Sequence, residues 1–411
     1  MSSGKVFPKT KLKKADVLAA EGALKVGCIV KDGKILPAIN SATRLAALSE
    51  KASASWYSRL MGRNIVYTQN RLYSAPDALI SPIAVNFAAA SPSMVETFLN
   101  KMPIAYVFGD TTYFRFSGLN YSSTFKGNVV NCVLKNGRIF GTDPTQPYKI
   151  KWSGEGGADD WTEGISGAGW AFVHHGYGKI INLIVYKDKI VAVRECGLAF
   201  LSAHGTPENF KISYLECKLP KIFKNTVAVG DGRLLFYTED GLYFYDGNGV
   251  EKLKINLSEE LQSPSFACCA DGKYFLCGVS KTLKRKAVLV FDEVQNAAYL
   301  IDLDANAVSV GNKIYAYTDT YEYRLEEGGE YEFTSGEIDF ASNGYKVLKE
   351  VIIGGEGYVV LEVSNGVISR IVRGVRGKFR PNMRGKSFKI KVCGSGKIEG
   401  VSAVAEVMDE V

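Results

Sequence analysis

Histidine is the scarcest chemistry-bearing residue here, with only His174, His175 and His204 in 411 residues. Neighbouring histidines on an extended segment point to opposite sides, so a facial triad or a zinc tetrahedron is not expected. The eight cysteines never form C-x-x-C, and Cys268 and Cys269 would diverge on a strand. They read as buried thiols in a reducing compartment. No apolar run approaches the ~20 residues of a membrane span. The basic start (Lys5, Lys9, Lys11, Lys13, Lys14) is followed by Asp16, Glu21 and Lys25, which interrupt the core that a signal peptide needs. The expectation is a soluble chain made in the cytoplasm.

Catalytic patterns are equally sparse. The stretch "CGSGK" at 393–397 lacks the spacing and following helix of a phosphate loop and reads as a β-turn. Asp159, Asp160 and Glu163 are near enough in sequence to suggest paired carboxylates, but "DDWT" has the wrong order for a sialidase Asp-box and is not repeated. No catalytic residue, cofactor or metal ligand is assigned.

What the sequence does hold is turn chemistry and β-formers: 42 glycines, 12 prolines, and 46% hydrophobic residues. A turn pair, then Lys or Arg, then an apolar strand start recurs as "YKDKIVAV" at Asp188, "GDGRLLFY" at Asp231, "ADGKYFLC" at Asp271 and "VGNKIYAY" at Gly311, in steps of 43, 40 and 40 residues. Asn70 and Asp110 are also 40 apart, with Asp32 38 residues earlier, while the turn at Asn136 falls out of phase. Short runs of Val, Ile, Leu, Tyr and Phe flank each turn, and a second hairpin often follows. Four short strands per ~40 residues is the content of a propeller blade, which has two apolar faces and needs a neighbour on each. The reading is mainly β: a six- or seven-bladed β-propeller over 62–334, preceded by an N-terminal arm, 1–61, with helices at "KKADVLAAEGALK" and "SATRLAALSEKASASWYSRLM". A further short helix is expected near 93–101. Inside the propeller, 152–179 reads as a long glycine-rich projecting loop holding Trp152, Asp160, Trp161 and Trp170.

After 335 the beat stops. Alternation at Val359-Leu361-Val363 and Phe388-Ile390-Val392 predicts half-buried antiparallel strands, hence a small C-terminal β-sandwich over 335–411. Its charge is distinctive. Between Gly366 and Glu399 lie ten basic residues, among them Arg370, Arg373, Arg376, Lys378, Arg380, Arg384 and Lys386, and no acidic one. The +7 total therefore divides into +10 for this segment and −3 for the rest. Such density suits a subunit interface or a polyanion; the former is preferred because no aromatic base-stacking platform accompanies it.

Two stretches carry a family resemblance. In "YKIKWSGEGGADDWTEGISGAGWAFVHHGYGKIINLIVYKDKIVAV", Trp152-Ser153, Asp160-Trp161, a Gly-rich segment and then Ile181, Ile184, Val185, Tyr186, Asp188, Lys189, Ile190 and Val193 are similar to the central signature of propeller-containing phage tail proteins. The ending "RGKFRPNMRGKSFKIKVCGSGKIEGV", with Ile398, Glu399 and Val401, resembles their closing β-domain. The resemblance to tail nozzle or tail-tube proteins of short-tailed bacteriophages implies a non-enzymatic virion protein. It would be assembled in the host cytoplasm as a homo-oligomeric ring in the tail or neck, sixfold as the resemblance implies. Portal, adaptor or other tail proteins would be its partners, and genomic DNA a transient contact in the conduit. The alternative reading is a propeller glycan-binding module that stacks sugars on Trp152, Trp161 and Trp170; a third is an intracellular propeller scaffold.

Overall fold

The computed structural model describes residues 10–75, 82–84, 86–99, 101–116, 121–124, 127–156, 160–254, 261–374 and 377–408. Among them, helical structure is limited to three three-residue 3-10 turns, and no helix is long and apolar enough to cross a membrane. Six four-stranded antiparallel sheets stand separately. A seventh four-stranded unit, 261–301, continues into a nine-stranded sheet. In chain order the units occupy 54–84, 93–124, 130–172, 180–214, 228–252, 261–301 and 307–327. Tyr57, Ser93, Asn131, Asn182, Val229, Cys269 and Ser309, one from the first strand of each unit, line a common central cavity. The arrangement is a closed β-propeller.

Closure follows from an element that the sequence reading assigned to a helix. The last unit has only three consecutive strands, and its fourth is Ile39–Ala47 from near the chain start, antiparallel to Tyr321–Glu327. The Ala- and Leu-rich composition of 41–48 favours a helix locally, but the unpaired edge of Tyr321–Glu327 supplies a partner for its backbone groups, and tertiary pairing overrides propensity. The other expected helices are also absent. Residues 13–25 lie in the strands Thr10–Asp16 and Leu24–Val26 and the turn between them; Ser93–Leu99 is the first strand of the second unit.

Apolar clusters fill the gaps between units, with one cluster serving both sides of the first unit. A strand so covered is buried on both faces, and Leu234–Thr238 is buried at every position. The turn at Asn136 proves to be in phase. Like Asp188, Asp231, Asp271 and Gly311, it joins the first two strands of its unit, whereas Asn70 and Asp110 join second and third strands. The long interval between Asn136 and Asp188 is the excursion at 153–179. Asp32 belongs to a hairpin outside the propeller.

The sandwich draws on both ends of the chain. One sheet combines Thr10–Asp16, Cys28–Lys31 and Lys34–Pro37 with Lys346–Gly355, Gly377–Phe379, Met383–Gly385 and Ile398–Met408. The other combines Leu24–Val26 with Tyr331–Thr334, Val359–Ser364, Ser369–Arg373 and Lys389–Gly394. Between them Val17, Cys28 and Ile35 pack with Leu348, Leu361, Phe388 and Val401. Leu24–Val26 also meets the propeller: Val26 registers in parallel with Leu300 of the sixth unit, and the Gly27 N–H donates to Leu300 O at 2.7 Å.

Candidate functional site

Residues 367–373 and 377–386 of the basic segment lie where both sheets end, while Lys389–Gly394 is an inner strand. Ser369–Arg373 is the terminal strand of the nine-stranded sheet and, among the described residues, pairs only with Val359–Ser364. Their turn is held by Asn365, whose Oδ1 accepts from Val367 N at 3.0 Å and Ile368 N at 2.8 Å, while Gly366 takes φ +86°. The Asn365 Nδ2 donates to Arg384 O at 2.8 Å and ties the hairpin to the opposite sheet.

Register decides what this strand presents. Asn365 N donates to Ile368 O, and Gly374 N donates to Val359 O. Antiparallel pairs alternate, so Arg370 and Val372 turn their N–H and C=O inward, and Ser369, Ile371 and Arg373 turn theirs toward the open edge. Exposure here is unusual for aliphatic side chains: Val367 is 90% exposed, Ile371 60% and Ile368 57%. Tyr345 and Tyr358 are also exposed.

The structure brings most of the predicted basic residues to this end but gives them different tasks. The Arg370 guanidinium donates to Pro381 O, bridging the two sheet edges. Arg373 is exposed on the outer face beside Ile371. Arg376 lies outside the described residues. Lys378 and Arg380 both face Glu350, at 3.7 Å and 3.2 Å. Arg384 and Lys386 stand over the Tyr345 ring, 5.1 and 5.7 Å from its centroid. Exposed pairs of this kind contribute little to stability. Their guanidinium and ammonium groups stay at the surface.

The tryptophans of 152–179 are not gathered into one platform. Trp152 is buried in the third unit; its indole N–H donates to Gly167 O at 3.1 Å, and its ring meets Phe140 and Phe210. Trp161 packs on the cluster between the second and third units. Asp160 closes the local turn, its carbonyl accepting from Gly154 N at 2.8 Å and its carboxylate from Thr162 N at 3.3 Å. Only Trp170 of the three is substantially exposed, set edge-on to Phe172 at 5.1 Å with Lys149 Nζ 4.4 Å from its ring centroid.

Two features escaped the sequence reading. Arg194 ends the second strand of the fourth unit, where the first, fifth and seventh units have Thr68, Thr238 and Thr318 capping the turn. Fully buried, it donates to His174 O at 2.7 Å and Gly178 O at 3.2 Å, pinning the connection from the third unit. The second is a groove of about 400 Å³ between the sixth and seventh units. Ile39, Phe275, Val310, Ile314 and Leu325 form its apolar part, and Asp271, Glu326 and Glu327 its acidic part, with Lys273 and Lys313 also present. The acidic run "LEEGGEYE" at 325–332 was the available signal. Among the described residues, no group of three or more His, Cys, Asp and Glu is placed to hold a metal ion.

No protein-family model matches the chain, and no curated protein is significantly similar in sequence. Similar solved structures include YCF48 bound to a D1 peptide, with 14% identity and a TM-score of 0.45 over 69% of this chain and 94% of that one. The AfRom2 CNH domain shows 9% identity and a TM-score of 0.45 over 70% and 99%. Hsv2 of Kluyveromyces lactis shows 9% identity and a TM-score of 0.43 over 82% and 99%.

Proposed function

We propose that this chain is a non-enzymatic assembly protein whose copies associate through the basic end of the sandwich into a ring. Its setting is the tail or neck of a phage or phage-derived particle, where the propeller supports the DNA conduit. The observation that carries the assembly reading is the open strand Ser369–Arg373 with Val367, Ile368 and Ile371 exposed beside it. Charges on an edge strand are a known defence against unwanted pairing, and Arg370 and Arg373 alone would fit that role. Three exposed aliphatic side chains do the opposite, since they favour whatever covers them. The tail setting is supported by the motif resemblance around Trp152–Val193 and Arg376–Val401.

The test is the native mass by light scattering. The wild-type chain is expected to be oligomeric, and the variant carrying Ile371→Ser and Arg373→Ala to shift toward monomer with its thermal transition nearly unmoved. A wild-type monomer at tens of micromolar would reject the proposal. Electron microscopy of the oligomer checks the conduit setting, which requires a central hole wide enough for duplex DNA.

A further inference from the structure

We infer that the tip of the hairpin 359–373 in one copy seats in the groove between the sixth and seventh propeller units of the next copy. This rests on the assembly reading above and specifies the receiving surface. The two surfaces differ in kind, so the contact is heterologous, the type that generates rings when its rotation closes.

Chemistry matches the two sides. The tip offers Val367 and Ile368 ahead of Ile371, with Arg370 and Arg373 behind them. The groove offers the half-buried Val310 and Ile314 together with Asp271, Glu326 and Glu327. Lys273 is paired with Asp292 at 3.2 Å, and Glu326 is paired with Arg324 of its own strand at 2.9 Å. Negative charge extends beyond the groove. The Cβ that Gly272 lacks would lie 3.4 Å from Asp231 Oδ2, which places Asp231 against the Asp271 turn. Asp271 and Glu327 are the exposed carboxylates that a guanidinium arriving in the groove meets.

The fit also accounts for the asymmetry of charge along the chain. A copy that is +10 over 366–399 and −3 elsewhere attracts itself when that segment faces another part of the molecule, and repels itself when two such segments meet. Twofold pairing of the basic edges is therefore the disfavoured arrangement.

Charge exchange tests the contact. One variant carries Arg370→Glu and Arg373→Glu; a second carries Asp271→Lys and Glu327→Lys. Each alone is expected to associate at least roughly tenfold more weakly than wild type. Mixed one to one, they should recover oligomers, because every contact in an alternating ring then joins opposite charges. Val367→Asp should weaken association similarly through the apolar side, with an unshifted thermal transition showing that it folds. If the wild type is oligomeric but the mixture stays monomeric, the groove is not the receiving surface and the assembly reading survives. If the wild type is monomeric, both fail. If the Arg370→Glu, Arg373→Glu variant assembles normally but loses retention on a polyanion such as heparin, the hairpin serves a polyanion and the inference is overturned.

Discussion

Leu234–Thr238 in the propeller is buried at every position, while Val359–Ser364 in the sandwich is buried at every second one. Both are antiparallel strands, so the difference comes from what covers them. A propeller sheet has a neighbour on each face, and both sets of alternating side chains find apolar partners. A sandwich sheet has one, and its other face stays at the surface. The two regions also differ in how the chain builds them. Each propeller unit is made from consecutive hairpins, apart from the closing strand Ile39–Ala47, whereas the sandwich joins strands from opposite ends of the chain. Both regions expose apolar side chains, the propeller Phe98, Phe172 and Val294 at separate units, the sandwich Val367, Ile368 and Ile371 together at its open edge.

Whether the two regions are one cooperative body is the sharpest question this contrast raises. Leu235 and Leu361 are both fully buried, one in each region. Replacing either with Ala should cost about 2–5 kcal/mol, from lost burial and the cavity left behind. Leu24–Val26 is hydrogen-bonded to strands of both regions, so both substitutions are expected to lower a single calorimetric transition. Two transitions, each responding to only one of the substitutions, would separate the regions.

A smaller change tests the junction itself. Gly27 adopts φ +64°, and a Cβ there would lie 2.3 Å from Asn40 Cγ. Gly27→Ala therefore combines a left-handed backbone penalty with displacement of Asn40, whose Nδ2 donates to Glu330 O. The expected cost is about 2 kcal/mol, together with a broader transition as the regions uncouple. A sharp transition shifted by less than a degree would show that the junction tolerates the change.

The same contrast explains what the sequence made legible. Tight turns and flanking β-formers are local signals, and they located the propeller at Asp188, Asp231, Asp271 and Gly311. The sandwich could be read only from its C-terminal half, because nothing near Leu24 or Cys28 records that their partners lie some three hundred residues onward. At 41–48, local propensity pointed to a helix, and the deciding fact was the free edge of Tyr321–Glu327. The basic cluster was visible as composition. Its division into a bridging Arg370, an exposed Arg373 and a Glu350-paired Arg380 depends on how the two sheets end.

The least perturbing experiment alters no residue. All eight cysteines are free, and they sample both regions: Cys28 in the sandwich core, Cys132 between the second and third propeller units, and Cys217 at the surface. Burial pushes the Cys28 thiol up to about 12, only partly opposed by Lys25; burial pushes Cys132 up to about 12 as well, against the effect of Ser93. Since the thiolate is the reactive form, both should resist an aromatic disulfide reagent at pH 8 while Cys217 reacts within the mixing period. Labelling at Cys28 and Cys132 then reports how often each region opens. Equal rates, followed site by site with mass spectrometry, are expected if Leu24–Val26 binds the regions into one unit. Faster labelling at Cys28 would instead mark the sandwich as a separately opening attachment, held together by strands the chain brings in from its two ends.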